Sequence, residues 1–93
     1  MVVVITGTSS GIGLETAKYF AARGHRVYGV IRSTSDASNF DAAAKKYSAN
    51  LFKVIGDISR DVSGFVLDIL DRENQIDVLI NNAAYALVGT VES

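Results

Sequence analysis

The sequence contains no cysteine and no proline, and its one histidine is His25. Without cysteine there is no disulfide framework, no thiolate zinc site and no cysteine nucleophile. A lone histidine argues against a multi-histidine metal centre. Eight glycines with no proline exclude a collagen-like or low-complexity chain. An excess of charge of either sign is also lacking, with 9 basic residues against 10 acidic ones and a net charge of −1. No basic stripe forms, so nucleic-acid binding is not expected. No run of about 18 apolar residues occurs, so no membrane span is expected. No basic segment precedes the first apolar run, and the expected compartment is the cytoplasm.

What is present is a chain of 93 residues, 48% apolar, with a mean hydropathy of +0.23. That is enough to bury a modest core, and too apolar for disorder. One domain over residues 1–93 is expected. The punctuation along it is regular. Val2 to Ile5 is a β-branched apolar run suited to a strand buried on both faces. Ile12 to Arg23 has helical spacing, and Gly24 suits the position after a helix end. Arg26 to Ile31 reads as a second strand, Phe40 to Tyr47 as a short helix and Leu51 to Ile55 as a third strand. Val62, Phe65, Val66, Ile69 and Leu70 follow i, i+3, i+4, i+7, i+8, the clearest amphipathic helix, which Ser59 or Asp61 can cap. Asp77 to Asn81 reads as a fourth strand.

Strands alternating with helices predict an α/β fold, a doubly wound parallel sheet in three layers, α/β/α. Right-handed crossovers give a strand order of 3-2-1-4. Ligands in such sheets bind at the carboxyl ends of the strands, where the order reverses. After the first strand stands Gly7-Thr8-Ser9-Ser10-Gly11-Ile12-Gly13. The first glycine permits a tight turn, the second a close approach of backbone to a pyrophosphate, the third close packing of helix on sheet. The N–H groups of Ser10 to Gly13 then face the phosphates at a helix N-terminus, and Ser9 and Ser10 add hydroxyls. After the second strand, an NAD site needs a carboxylate for the ribose hydroxyl. The chain has Arg32 and Ser33 there instead, and Asp36 lies further along. Arg32 and Ser33 suit a 2′-phosphate, which favours NADP, with NAD the second choice. After the third strand, Asp57 can accept from an adenine amino group with Ile58 against the ring, or it can cap the next helix. After the fourth, the Asn81 and Asn82 side chains can tie loops together, and Ala83 and Ala84 leave room for a ligand.

Together these segments resemble the short-chain dehydrogenase/reductase family. Thr6 to Gly13 is similar to its TGxxxGxG signature, and Asn81-Asn82-Ala83-Ala84 to its NNAG, with Ala84 in place of the last glycine. The resemblance implies a Rossmann-type domain and an oxidoreductase cofactor site. In it, Gly7, Thr8, Ser9, Ser10, Gly11, Ile12 and Gly13 cradle the pyrophosphate and Arg32 and Ser33 take the 2′-phosphate. Asp57 and Ile58 contact adenine, and Asn82, Ala83 and Ala84 line the nicotinamide-side ribose. The family's catalytic Ser and Tyr-x-x-x-Lys have no counterpart. The residue four after each tyrosine is Arg23, Arg32, Leu51 or Gly89. No catalytic residue is therefore assigned, and whether the chain is itself an enzyme stays open.

The resemblance therefore implies the cofactor-binding half of such an enzyme. Two other readings stand beside it: an oxidoreductase completed by a partner chain, and a non-enzymatic interaction protein that kept the half-fold. Val78-Leu79-Ile80 is expected to present an open sheet edge that pairs with a second copy, making a homo-oligomer. Tyr85 reads as packing on the sheet end, and His25 as a surface histidine. Asp68, Asp71 and Glu73 read as the solvated face of a helix.

Overall fold

A computed structural model describes residues 1–56 and 62–82. Its elements run β1 (Val2–Thr6), α1 (Gly11–Ala22), β2 (Arg26–Ile31), α2 (Ser38–Lys46), β3 (Leu51–Ile55), α3 (Val62–Glu73) and β4 (Val78–Ile80). The four strands form one parallel sheet in the order β3-β2-β1-β4. This is the predicted order, and it places the reversal beside β1.

Alternation along β1 sends Val3 and Ile5 to one face and Val2 and Val4 to the other, and every residue of the strand is buried. The first face packs under α1 and α2, through Leu14, Ala17, Ala21, Phe40 and Ala43. The second packs under α3, through Phe65 and Ile69 against Val2, Val4, Tyr28 and Val30. Fully burying an aliphatic side chain of this size is worth about 1.5–3 kcal/mol. The burial of all of β1 and of β2 from Val27 to Ile31 therefore outweighs any single polar contact at their ends. The helices lie on both faces, as the alternation of elements requires.

The helix ends follow local chemistry. After α1, Gly24 N donates to Ala21 O at 3.1 Å and His25 N to Phe20 O at 3.2 Å, a Schellman closure. After α3, Asn74 takes φ 69° and its N–H donates to Leu70 O at 2.8 Å. Asparagine is among the few non-glycine residues that accept that conformation. α2 begins at Ser38, two residues before the predicted Phe40, because the Asp36 carboxylate accepts from Ser38 N at 2.9 Å and Ser38 Oγ at 2.8 Å. That turn starts the helix one half-turn early. The two proposed caps of α3, Ser59 and Asp61, lie outside the described residues.

One reading is corrected here. Asp68 and Asp71 are exposed, but Glu73 is not part of a solvated face. Its side chain is only 9% exposed, and it accepts from the Tyr28 hydroxyl and from Arg26 Nε at 2.7 Å. Arg26 also lies over the Phe52 ring, and Phe52 packs on Tyr28. The Tyr28 hydroxyl, and after it Arg26, hold the Glu73 carboxyl below the usual carboxylate range. Burial first, and then Glu73, pushes the Tyr28 phenol up. The cluster ties α3 to the amino-terminal end of β2, the end opposite the strand reversal. His25 is half-buried, with its ring beside Phe20 and Nδ1 3.2 Å from the Met1 amine.

Candidate nucleotide-binding site

At the carboxyl end of β1 the chain turns sharply at Gly7, where φ is 68°. Gly7 N and Thr8 N both donate to Val30 O, at 3.1 and 3.4 Å, and Thr8 Oγ1 donates to the same carbonyl at 3.4 Å. The last residue of β1 pairs with Val30 in the sheet register. The turn is thus pinned to the neighbouring strand before it reaches the helix. Thr8 is fully buried, so its hydroxyl faces inward rather than toward a ligand. Ser9 is half-buried and Ser10 exposed.

Ser10 is the N-cap of α1, but its side chain makes no capping bond, and no acidic residue stands in the first turn. The first-turn N–H groups therefore have no acceptor in the N-cap side chain, and no carboxylate of the first turn offsets the positive end of the helix dipole. Gly11 takes φ 65°, and a Cβ built there would meet nothing within 4 Å. Ile12 is 75% exposed beside it. Gly13 is the reverse case. A Cβ there would come closer than 3.0 Å to Gly7 O and 2.7 Å from Asn82 Nδ2. One glycine keeps space open outside the turn, and the other lets helix and turn touch.

The end of β4 closes the same place. Asn82 Nδ2 donates to Gly7 O at 3.1 Å, and Thr6 Oγ1 donates to Asn81 Oδ1 at 3.1 Å. The predicted role of these asparagines as ties through backbone hydrogen bonds is met by Asn82, whereas Asn81 ties to the Thr6 side chain instead. Of the predicted site residues, Asp57, Ile58, Ala83 and Ala84 lie outside the described residues, as does Tyr85.

Arg32 and Ser33 leave the sheet just after Ile31, and both are exposed. Ser35 N donates to Arg32 O at 3.0 Å, which folds the start of this loop into a turn. The Arg32 guanidinium has no ion-pair partner among the described residues, whereas Lys18, Arg26 and Lys53 each have one. Asp36, the nearest carboxylate along the loop, is engaged by Ser38, whose N–H and then hydroxyl hold its pKa below the usual range. The carboxyl ends of β1 and β2 therefore present the first-turn N–H groups of α1, the hydroxyls of Ser9, Ser10 and Ser33, and an arginine that no described residue pairs. Such a donor set recognises phosphate oxygens. Among the described residues no cluster of acidic or histidine side chains could hold a metal.

Sequence reasoning missed Gly29, which sits mid-strand in β2 against Thr8 and Phe40. Its signal was a glycine inside a β-branched strand, which marks close approach by another group.

The family model for short chain dehydrogenases matches residues 1–93. The chain is 39% identical over 90 residues to "Retinol dehydrogenase 12" of Bos taurus, covering 92% of this chain and 28% of that protein. It is 40% identical over 89 residues to a Dichelobacter nodosus protein named "Probable NADP-dependent dehydrogenase in aabA 3'region". That match covers 94% of this chain and 81% of the relative. Among solved structures, a carbonyl reductase from Pseudomonas aeruginosa PAO1 superposes with a TM-score of 0.78 at 31% identity, covering 99% of this chain and 44% of that one. A metagenomic short-chain oxidoreductase in complex with NADP gives 0.74 at 27% identity, covering 85% and 37%. The chain spans less than half of both of these structures and little more than a quarter of the bovine relative. With the parallel order β3-β2-β1-β4 and the glycine turn at its reversal, the chain belongs to the short-chain dehydrogenase family.

Proposed function

We propose that the chain is an NADP-binding module, the cofactor-holding part of a short-chain oxidoreductase. The observation that carries this reading is the cradle itself. Gly11 keeps open space in front of a helix N-terminus that its N-cap side chain does not close, and Arg32, without an ion-pair partner among the described residues, stands at the end of the next strand. Relatives and structural neighbours support it by name: one relative is called NADP-dependent, one neighbour holds NADP and another, a polyketide ketoreductase, holds NADPH.

The residues fit the group. The first-turn N–H groups of α1 and the Ser9 and Ser10 hydroxyls would hold the pyrophosphate. Arg32, with Ser33, would hold the 2′-phosphate through its fork of donors. Ile12 offers an exposed apolar side chain beside the phosphates, and Asn82 would line the nicotinamide-side ribose with Ala83 and Ala84. Asp57 and Ile58 would meet the adenine. When bound, the dinucleotide supplies a hydride donor or acceptor. This chain contributes position and charge, not acid or base chemistry. No tyrosine has the lysine four residues later that lowers a phenol's pKa for proton transfer.

The same reading includes self-association. β4 ends the strand order, and Leu79 is 53% exposed on it. An edge of this kind pairs with another strand, and a second copy of β4 is the partner proposed.

Calorimetric titration with NADPH and NADH tests the cofactor reading. The expected result is micromolar NADPH binding, weaker NADH binding, and a loss of roughly ten- to a hundredfold in NADPH affinity in Arg32→Ala, the value of a charge-assisted contact. Absence of binding to either cofactor overturns the reading and favours the interaction protein. Turnover of a carbonyl compound by the chain together with a partner favours the completed oxidoreductase.

A further inference from the structure

The turn that faces the pyrophosphate and the loop that carries Arg32 are separate stretches of chain, yet one small cluster touches both. Val30 O gathers Gly7 N, Thr8 N and Thr8 Oγ1 from the turn. One residue earlier in β2 stands Gly29. A Cβ there would come closer than 3.0 Å to the Phe40 ring and 2.7 Å from Thr8 Oγ1. The space that a side chain would take at position 29 is filled from two directions, by the hydroxyl of the turn and by a ring from α2. Thr8 and Phe40 are both fully buried. A glycine costs a strand interior some stability, so its presence here answers to that close approach.

Phe40 stands in the first turn of α2, and α2 opens directly after the loop that begins at Arg32. The loop is therefore pinned at both ends. Its start is fixed by Gly7 N on Val30 O and by Gly56 N on Ile31 O at 3.0 Å, and its finish by Phe40 seated over Gly29. Phosphate recognition by a guanidinium fork depends on position to within a fraction of an ångström. A shift of Phe40 moves the loop with it.

We propose that Gly29, Thr8 and Phe40 form a positioning cluster that sets the spacing between the pyrophosphate turn and the Arg32–Ser33 loop, and with it the preference for a 2′-phosphate. The inference rests on the reading of the chain as an NADP-binding module. The three residues act through the backbone elements that they hold apart, and none of them touches the phosphates.

The test measures NADPH and NADH affinities of the 93-residue chain by calorimetry, with folding checked by circular dichroism. Gly29→Ala drives a methyl into the Phe40 ring. It is expected to weaken NADPH about tenfold or more and NADH less than about threefold, since only NADPH reads the loop position. Phe40→Leu in the Gly29→Ala background removes the ring atoms that the methyl meets and leaves the contact with Thr8 Oγ1, so it is expected to restore the ratio of the two affinities in part. Thr8→Val, which removes the hydroxyl, is expected to move the ratio the same way by about two- to fivefold, and Thr8→Ser to leave it unchanged. If Gly29→Ala does not fold, the Thr8 pair decides. A merely structural cluster would lower both affinities equally and leave the ratio fixed, and that result overturns the inference. Wild type that prefers NADPH while no variant shifts the ratio overturns the cluster alone. Wild type that binds neither cofactor overturns the module reading and this inference with it.

Discussion

A methyl group at position 13 would have nowhere to go. The Gly7 carbonyl is backbone, and Asn82 is itself bonded to that carbonyl, so neither can give way cheaply. Gly13→Ala is expected to cost about 1–3 kcal/mol, the range for overpacking a closed contact. A thermal melt that shows a clear drop, together with loss of NADPH binding, would bear this out, and an unchanged melting temperature would contradict it. Gly11→Ala differs in kind. It meets no neighbour, so its stability cost is the left-handed backbone alone, roughly 1–2 kcal/mol. Its methyl projects into the open space where the phosphates are proposed to lie, so binding falls more than stability does. Both glycines were legible in the sequence as parts of a tight turn from strand to helix, because their spacing follows an apolar strand and opens a helical pattern. The inward turn of Thr8 was not legible, because a threonine in a Gly/Ser-rich stretch looks the same whether it faces ligand or core. Only the Val30 carbonyl, 22 residues away, decides it.

Among the elements, α3 shows how far local pattern reaches. Its apolar spacing pointed correctly to Phe65 and Ile69 as the buried face. Glu73, at its last residue, carried no such signal, because its partners Tyr28 and Arg26 lie 45 and 47 residues back. The start of α2 was missed for a smaller reason. The Asp36–Ser38 turn is a three-residue motif that outranks the apolar period beginning at Phe40. Glu73 also makes the fold sensitive to acid. Its pKa is lowered in the folded chain, so it binds protons more readily when unfolded. Its contribution is complete above the unfolded value of about 4.3 and is lost as pH falls through the lower folded value. The stability gap between wild type and Glu73→Gln is expected to be widest near neutral pH and to close below about pH 4. Urea melts at a series of pH values measure it. A gap that stays constant on acidification would show that the carboxylate charge is not what holds α3 to β2.

At the scale of the whole molecule, the strand order was legible because alternating strands and helices leave few right-handed solutions. What covers the outer side of β4 was not legible, since periodicity describes faces and not edges. The proposed pairing of β4 with its own copy predicts a concentration-dependent dimer in sedimentation. Leu79→Lys is expected to abolish it, because a charge on the edge opposes strand addition. A monomer at every concentration tested would remove the self-association reading and leave the cofactor reading intact.

The ties between β1 and β4 share one property. Val2 N to the Asp77 carboxylate, Thr6 Oγ1 to Asn81 and Asn82 Nδ2 to Gly7 O each join residues 75 positions apart. The same offset of 75 separates the residues that pair in the sheet, Val3 with Val78, Val4 with Leu79 and Ile5 with Ile80. A one-residue slip of β4 against β1 would part all three bonds at once, so the register of the sheet edge and the closure of the turn are one property.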